Sequence, residues 1–279
     1  MKRFIIMIGA LLAIAACSEP LTPIEEVEMT LNFSPYTIEP MTKAVGSLTA
    51  TGVDMKQLDV WIVEGENVTE FHQASTDAGF GSVTASLNKT KTYTLYAVAH
   101  KCTSAATLSN GIIAFPDDKV TLAMFYSTTF SPATTTSLSC VMTRIVGQFR
   151  METTDAIPSD VKKFNYSIAS TYNRWNVNGT GANQVDRTGT INISTLNNDG
   201  SATVNVYIIP SNLTDQATFD ITVSGMTAND VVVETKTFND VTIKAGYRTI
   251  YRGAFFTTES VTSSFTVESD WSTFNTISF

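Results

Sequence analysis

The chain of 279 residues carries 18 Lys+Arg against 26 Asp+Glu, a formal net charge of −8. An acidic body of this kind disfavours nucleic acid as a partner and is repelled by anionic lipid. A hydrophobic share of 43% can fill a sizeable core, and the length suits roughly two domains of ~100 to 150 residues.

The chain opens on the charged Met1-Lys2-Arg3, followed by an apolar run from Phe4 to Ala16. That run is shorter than the ~20 residues needed to span a bilayer. Ile14-Ala15-Ala16-Cys17 reads as a lipoprotein cleavage box, with signal-peptidase cleavage between Ala16 and Cys17 and lipidation of Cys17. Loss of residues 1–16 removes Lys2 and Arg3, leaving 16 basic against 26 acidic residues and a net charge of 16 − 26 = −10. Membrane attachment is therefore expected from acyl chains, at about 0.8 kcal/mol per buried CH₂.

Residues 17–43 are expected to form a lipidated propeptide. Within it Val27, Met29, Leu31 and Phe33 alternate along one face, as a half-buried strand requires. Pro35 and Pro40 then lead to Thr42-Lys43-Ala44, where a basic side chain in a proline-flanked segment offers a second cleavage point between Lys43 and Ala44. The alternating segment reads as a removable strand.

The body from residue 44 onward shows period-two alternation and no helical stripe. Leu58, Val60 and Ile62 share one strand face, as do Val83, Ala85 and Leu87, then Tyr93, Leu95, Ala97 and Ala99. Later runs repeat the pattern at Phe164-Tyr166-Ile168, Val204-Val206-Ile208, Phe219-Ile221-Val223 and Tyr247-Thr249-Tyr251. Such short strands, rich in β-branched and aromatic residues, predict an all-β chain of packed sandwiches. The Ser- and Thr-rich stretch Ser127–Ser139 reads as a loop or loosely held edge, which puts the domain junction near residue 139. The expected units are an N-terminal sandwich over 44–138 and a C-terminal sandwich over 139–279. Asn197-Asn198-Asp199-Gly200 suits a turn and predicts a hairpin over 188–209, while Ser159–Lys163 after Pro158 reads as one capped helical turn.

Chemistry-bearing motifs are sparse. His72 and His100 stand in no HExxH pattern, and no nucleotide loop or nucleophile elbow follows a strand. No metal, cofactor or enzymatic activity is expected. Asp117-Asp118 is an unpromising glycosidase pair because neighbours on a strand face opposite ways. Cys102 and Cys140 are the thiols left after lipidation and are a candidate disulfide in an oxidising compartment, although isolated cysteines in apolar strands are as often small buried hydrophobes. The loop Tyr172-Asn173-Arg174-Trp175 puts aromatic faces beside polar groups and is a candidate ligand loop, against the plainer reading that Tyr172 and Trp175 cover a core.

In the C-terminal tail, over about 263–279, Phe265, Val267, Trp271, Ile277 and Phe279 fall on one alternating face. The run would reach roughly 50 Å at about 3.3 Å per residue, long for a single strand of a compact domain. Its pattern matches that of residues 27–33, so both segments suit the same kind of groove, the tail as a donor strand from another copy. Donor and acceptor at different places on each copy give a head-to-tail polymer.

Several segments resemble the fimbrillin family, the lipoprotein-derived pilins of Bacteroidetes that build type V pili. They are Cys17 after its cleavage box, Thr42-Lys43-Ala44, the strand Lys56–Val63, Tyr93–Ala99, Thr143–Phe149, Phe238–Ile243 and Asp270-Trp271. The resemblance implies two consecutive transthyretin-like β-sandwich domains, export as an outer-membrane lipoprotein precursor and maturation by a trypsin-like protease cutting after Lys43. In that family the residue before the cut is often Arg, and Lys43 departs from the pattern. It further implies a structural subunit of a cell-surface fimbria, serving adhesion, with other copies or related subunits and a host surface ligand as partners. The rival expectations are a permanently anchored lipoprotein that binds glycan or protein, and a fimbrial tip or anchor subunit.

Overall fold

Seventeen strands account for most of the computed structural model, which describes residues 25–35, 47–49, 53–193, 200–257 and the backbone of 266–269. In the N-terminal part these are β1 (Glu26–Pro35), β2 (Gln57–Glu64), β3 (Asn67–Ala74), β4 (Ser82–Asn88), β5 (Tyr93–His100), β6 (Thr107–Ser109), β7 (Ile112–Ala114), β8 (Ala123–Phe130) and β9 (Ser137–Arg144). The C-terminal part holds β10 (Gly147–Thr153), β11 (Val161–Asn176), β12 (Thr180–Asn192), β13 (Thr203–Ile208), β14 (Ala217–Thr227), β15 (Val232–Ile243), β16 (Tyr247–Gly253) and β17 (Thr266–Ser269). The all-β expectation is met.

The first sheet runs β3-β2-β5-β8-β9-β1-β4. Only two residue pairs, Met124 with Arg144 and Phe125 with Thr143, join β8 to β9. The two halves on either side share one core. Leu58, Val60 and Ile62 of β2 and Leu95, Ala97 and Ala99 of β5 belong to the same buried cluster as Val83, Ala85 and Leu87 of β4. These are the alternating positions read from the sequence, and each is at most 5% exposed.

The second sandwich packs the sheet β13-β10-β16-β17 against β15-β14-β11-β7-β6, with β12 on the remaining edge of β11. Its core gathers Phe149, Met151, Phe164, Ile168, Val206 and Ile221, with Phe238 and Tyr251 ringing Phe149 at 5.3 and 5.7 Å between centroids. β11 pairs with β14 over its first half and with β7 at Arg174, Trp175 and Asn176. The β6–β7 hairpin comes from the N-terminal part of the chain, so a sheet of the second sandwich contains main chain from the first.

Four local expectations differ from the structure. β9 lies in the first sheet, so the chain crosses between units at the buried Ile145 and Val146 and not near residue 139. Ser127–Ser139 is mostly strand, with its turn at 131–136, because Thr is β-branched and suits exposed faces of paired strands. No hairpin spans 188–209: β12 pairs with β11 and β13 with β10, placing them in opposite sheets. Of the four turn residues, Asn197, Asn198 and Asp199 lie outside the described residues. After Pro158, one turn closes with Val161 N donating to Pro158 O at 3.0 Å, and β11 follows at once, its pairing with Thr227 overriding the local capping signal.

Gly147 marks the entry to the second sandwich. A Cβ there would lie 2.6 Å from Ile243 Cγ2 and 2.6 Å from Lys244 O, a clash with backbone that no side-chain rotation relieves. Gly246 N donates to Val146 O at 2.9 Å in the same place.

Candidate functional site

β1 has partners on both edges. It runs antiparallel to β4, with Met29 opposite Ala85 and Leu31 opposite Val83, and parallel to β9, with Leu31 opposite Leu138 and Phe33 opposite Cys140. Met29 and Leu31 are fully buried and Phe33 is 6% exposed, while Val27 is half-buried. The opposite face carries Glu26, Glu28 and Asn32, all exposed, with Glu26 accepting from Ser86 Oγ at 2.7 Å and Asn32 Oδ1 from Ser82 Oγ at 3.0 Å. Alternation in the sequence thus placed the strand's inner face correctly.

The position of β1 gives it unusual leverage. β4 pairs with no other strand among those described, and β9 otherwise holds β8 by two residue pairs. Burial of three side chains contributes on the order of 5 to 9 kcal/mol in gross transfer terms. That sum is comparable to the net stability of a whole domain, typically about 5–15 kcal/mol. Without β1 the facing edges of β4 and β9 would expose unpaired N–H and C=O groups together with an apolar trough.

The remaining predicted sites fall in four groups. Ala16, Cys17, Lys43 and Ala44, and Phe265, Trp271, Ile277 and Phe279, lie outside the described residues. Val267 falls in β17, whose backbone pairs antiparallel with β16 in the register Val267 to Thr249, so this part of the tail rests on its own domain. Tyr172, Arg174 and Trp175 all lie in the last residues of β11, with Trp175 and Arg174 on opposite faces, and do not form a ligand loop. Trp175 is fully buried in the first core, 6.2 Å from the Phe125 ring, and Arg174 Nε donates to Asp118 Oδ1 at 3.0 Å. The strand end is a pin between the two units, which corrects the ligand reading, and Asp118 is committed to it from the 3-10 turn Pro116–Asp118.

Cys102 and Cys140 are separate free thiols, so the candidate disulfide is not formed. Cys140 pairs with Phe33 in mid-sheet, whereas Cys102 follows the end of β5 beyond the His100–Ala123 pair, with Sγ 3.6 Å from Lys119 O. A bridge needs Cα atoms within about 7 Å. Burial pushes the Cys140 thiol up to about 12. Burial also opposes ionisation of Cys102, yet the neighbouring His100 and Thr121 hold its pKa below the ordinary value.

One buried polar cluster was missed in the sequence. Asp59 on β2 is fully buried and accepts from His72 Nδ1 at 2.8 Å, His100 Nε2 at 2.9 Å and Ala106 N at 2.9 Å. The chain's two histidines therefore meet on one carboxylate. A charged residue inside the apolar run Leu58–Ile62 was the available signal. Burial lowers the His100 pKa, but its bonds to Asp59 and proximity to Cys102 outweigh that effect and raise it above 6.5. Among the described residues no three His, Cys, Asp or Glu side chains are placed to share a metal ion.

No protein-family model and no curated protein matches the chain. Solved structures do resemble it. A candidate adhesin from Bacteroides thetaiotaomicron matches with 12% identity and a TM-score of 0.51, over 90% of this chain and 98% of that one. A candidate cell adhesion protein from Bacteroides uniformis matches with 16% identity and a TM-score of 0.48, over 88% and 98% of the two chains. The fimbrial anchor protein Mfa2 from Porphyromonas gingivalis matches with 9% identity and a TM-score of 0.45, over 81% and 90%. With the first of these the chain shares its fold.

Proposed function

We propose that the chain is a structural subunit of a cell-surface fimbria with an adhesive role, delivered as an outer-membrane lipoprotein and polymerised by strand exchange. The observation that carries the reading is β1, an amphipathic strand paired on both edges and joined to the body through the segment that contains Lys43. The adhesin of like fold and the resemblance to fimbrillins point the same way. Cys17 holds the precursor at the membrane, a trypsin-like protease cuts after Lys43, and loss of β1 opens a trough between β4 and β9. The tail from Phe265 of another copy, released from its pairing with its own β16 at Thr266–Ser269, then supplies the replacement strand, and main-chain pairing does the work that catalysis does in an enzyme.

The test is Lys43→Ala, read by mass spectrometry of the mature N-terminus and by gel ladders of unboiled samples. Wild type is expected to begin at Ala44 and to form ladders, whereas the variant stays a lipidated monomer. Ladders of undiminished intensity from Lys43→Ala would sink the scheme, and a mature chain that always begins at lipidated Cys17 would point to a permanent tether.

A further inference from the structure

The outer face of β10 and β16 concentrates positive charge on an acidic protein. In β10, Phe149 and Met151 enter the core, so Gln148, Arg150 and Glu152 share the other face. Their partners on β16 are Arg248, Ile250 and Arg252. Three of the six arginines beyond residue 16 thus lie on this face, Arg248 set apart from the other two by the buried Gln148 and Ile250.

At the Glu152 end of this face is a cleft of about 440 Å³ lined by Arg150, Glu152, Thr154, Thr203 and Arg252, among others, within the roughly 300–1,000 Å³ usual for small-ligand sites. Two guanidinium groups share the one carboxylate. Arg252 Nε donates to Glu152 Oε2 at 2.9 Å and its Nη2 bonds the same oxygen, while Arg150 Nε lies 2.7 Å from Glu152 Oε1. No acceptor is in line with the buried Arg150 Nε–H. The cluster carries one positive charge in excess, two guanidinium groups against one carboxylate. Guanidinium forks suit planar or tetrahedral oxyanions.

We infer that this cleft is a receptor site for an anionic saccharide, a sugar bearing a carboxylate or a sulfate. The lining is guanidinium and hydroxyl with the one carboxylate of Glu152, and it has no aromatic or aliphatic side chain to receive the apolar residues of a peptide. Its volume suits one or two sugar rings. This inference extends the adhesive reading, but binding here is a property of the monomer and needs no cleavage at Lys43.

The experiment is calorimetric titration of the full-length protein in detergent with glucuronic acid, galactose 6-sulfate, glucose, sodium sulfate and a Glu-rich peptide. One or both acidic sugars are expected to bind and glucose is not; which acidic sugar binds more tightly identifies the anion. Arg252→Gln and Arg150→Gln should each weaken binding about tenfold, the loss of one charge-assisted bond. Glu152→Gln should tighten it severalfold by removing the competing carboxylate, a gain that a purely structural ion pair would not produce. If either arginine variant misfolds, Glu152→Gln and the salt dependence of the wild-type protein still decide. The inference fails if the acidic sugars bind no better than glucose, if sulfate alone binds as tightly, or if the peptide outcompetes them. Any of those results would leave the Lys43→Ala ladder test untouched, so the two readings fail separately.

Discussion

At the level of single residues, Asp59 concentrates the unusual chemistry. A buried carboxylate is costly unless fully bonded, and four groups serve this one: His72, His100, Ala106 N and, at 3.3 Å, Gln57 Nε2. Because the His100 pKa is raised in the folded state, folding favours its protonated form. Its contribution is fully present below pH 6.5 and fades as pH rises through the folded-state value. Urea unfolding of wild type should therefore lose stability as pH rises above 6.5 relative to His100→Gln, in which that slope is expected to flatten. Parallel curves for the two proteins would remove His100 from the account.

Among the elements, β1 is the one whose loss reorganises others. Leu31→Ala should cost about 2–5 kcal/mol, since Leu31 sits fully buried between β4 and β9. Asn32→Ser, on the exposed face, should stay within about 0.5 kcal/mol. Denaturant midpoints separate the two, and equal costs would mean that β1 contributes through its backbone alone. How far this element was legible in the sequence depends on which contacts define it. The alternation of Met29, Leu31 and Phe33 is local, so their burial could be read directly. That β1 lies between β4 and β9 could not, because those partners stand some 50 and 100 residues away in sequence, and no local pattern encodes pairing. The same limit explains Trp175. Beside Tyr172 and Arg174 it looked like a binding loop, but its environment is set by Ile113 and Phe125, in a part of the chain that local reading assigned to another domain. β12 and β13 do not form a hairpin for the complementary reason, since an Asn-Asn-Asp-Gly sequence signals a chain reversal and not which sheet the chain rejoins.

For the molecule as a whole, the two sandwiches are coupled through a tryptophan that grows from one and is buried in the other. Trp175→Ala should cost about 3–5 kcal/mol and, by emptying the junction, turn a single unfolding transition into two, visible in calorimetry or as a stable fragment in limited proteolysis. One unchanged transition would show that the buried link at Ile145 and Val146 and the β7–β11 seam couple the units without the indole.

The hairpin that the N-terminal part lends to the second sandwich also has a mechanical meaning. Besides the Arg174–Asp118 ion pair, two connections cross the junction among the described residues, a two-residue covalent link with both side chains buried and the hydrogen-bonded seam of β7 on β11. Neither leaves slack for a hinge, since bending the halves apart must break the seam and expose Trp175 together. In a filament of such subunits, compliance would therefore sit at the joints between copies, and each copy would behave as a stiff segment.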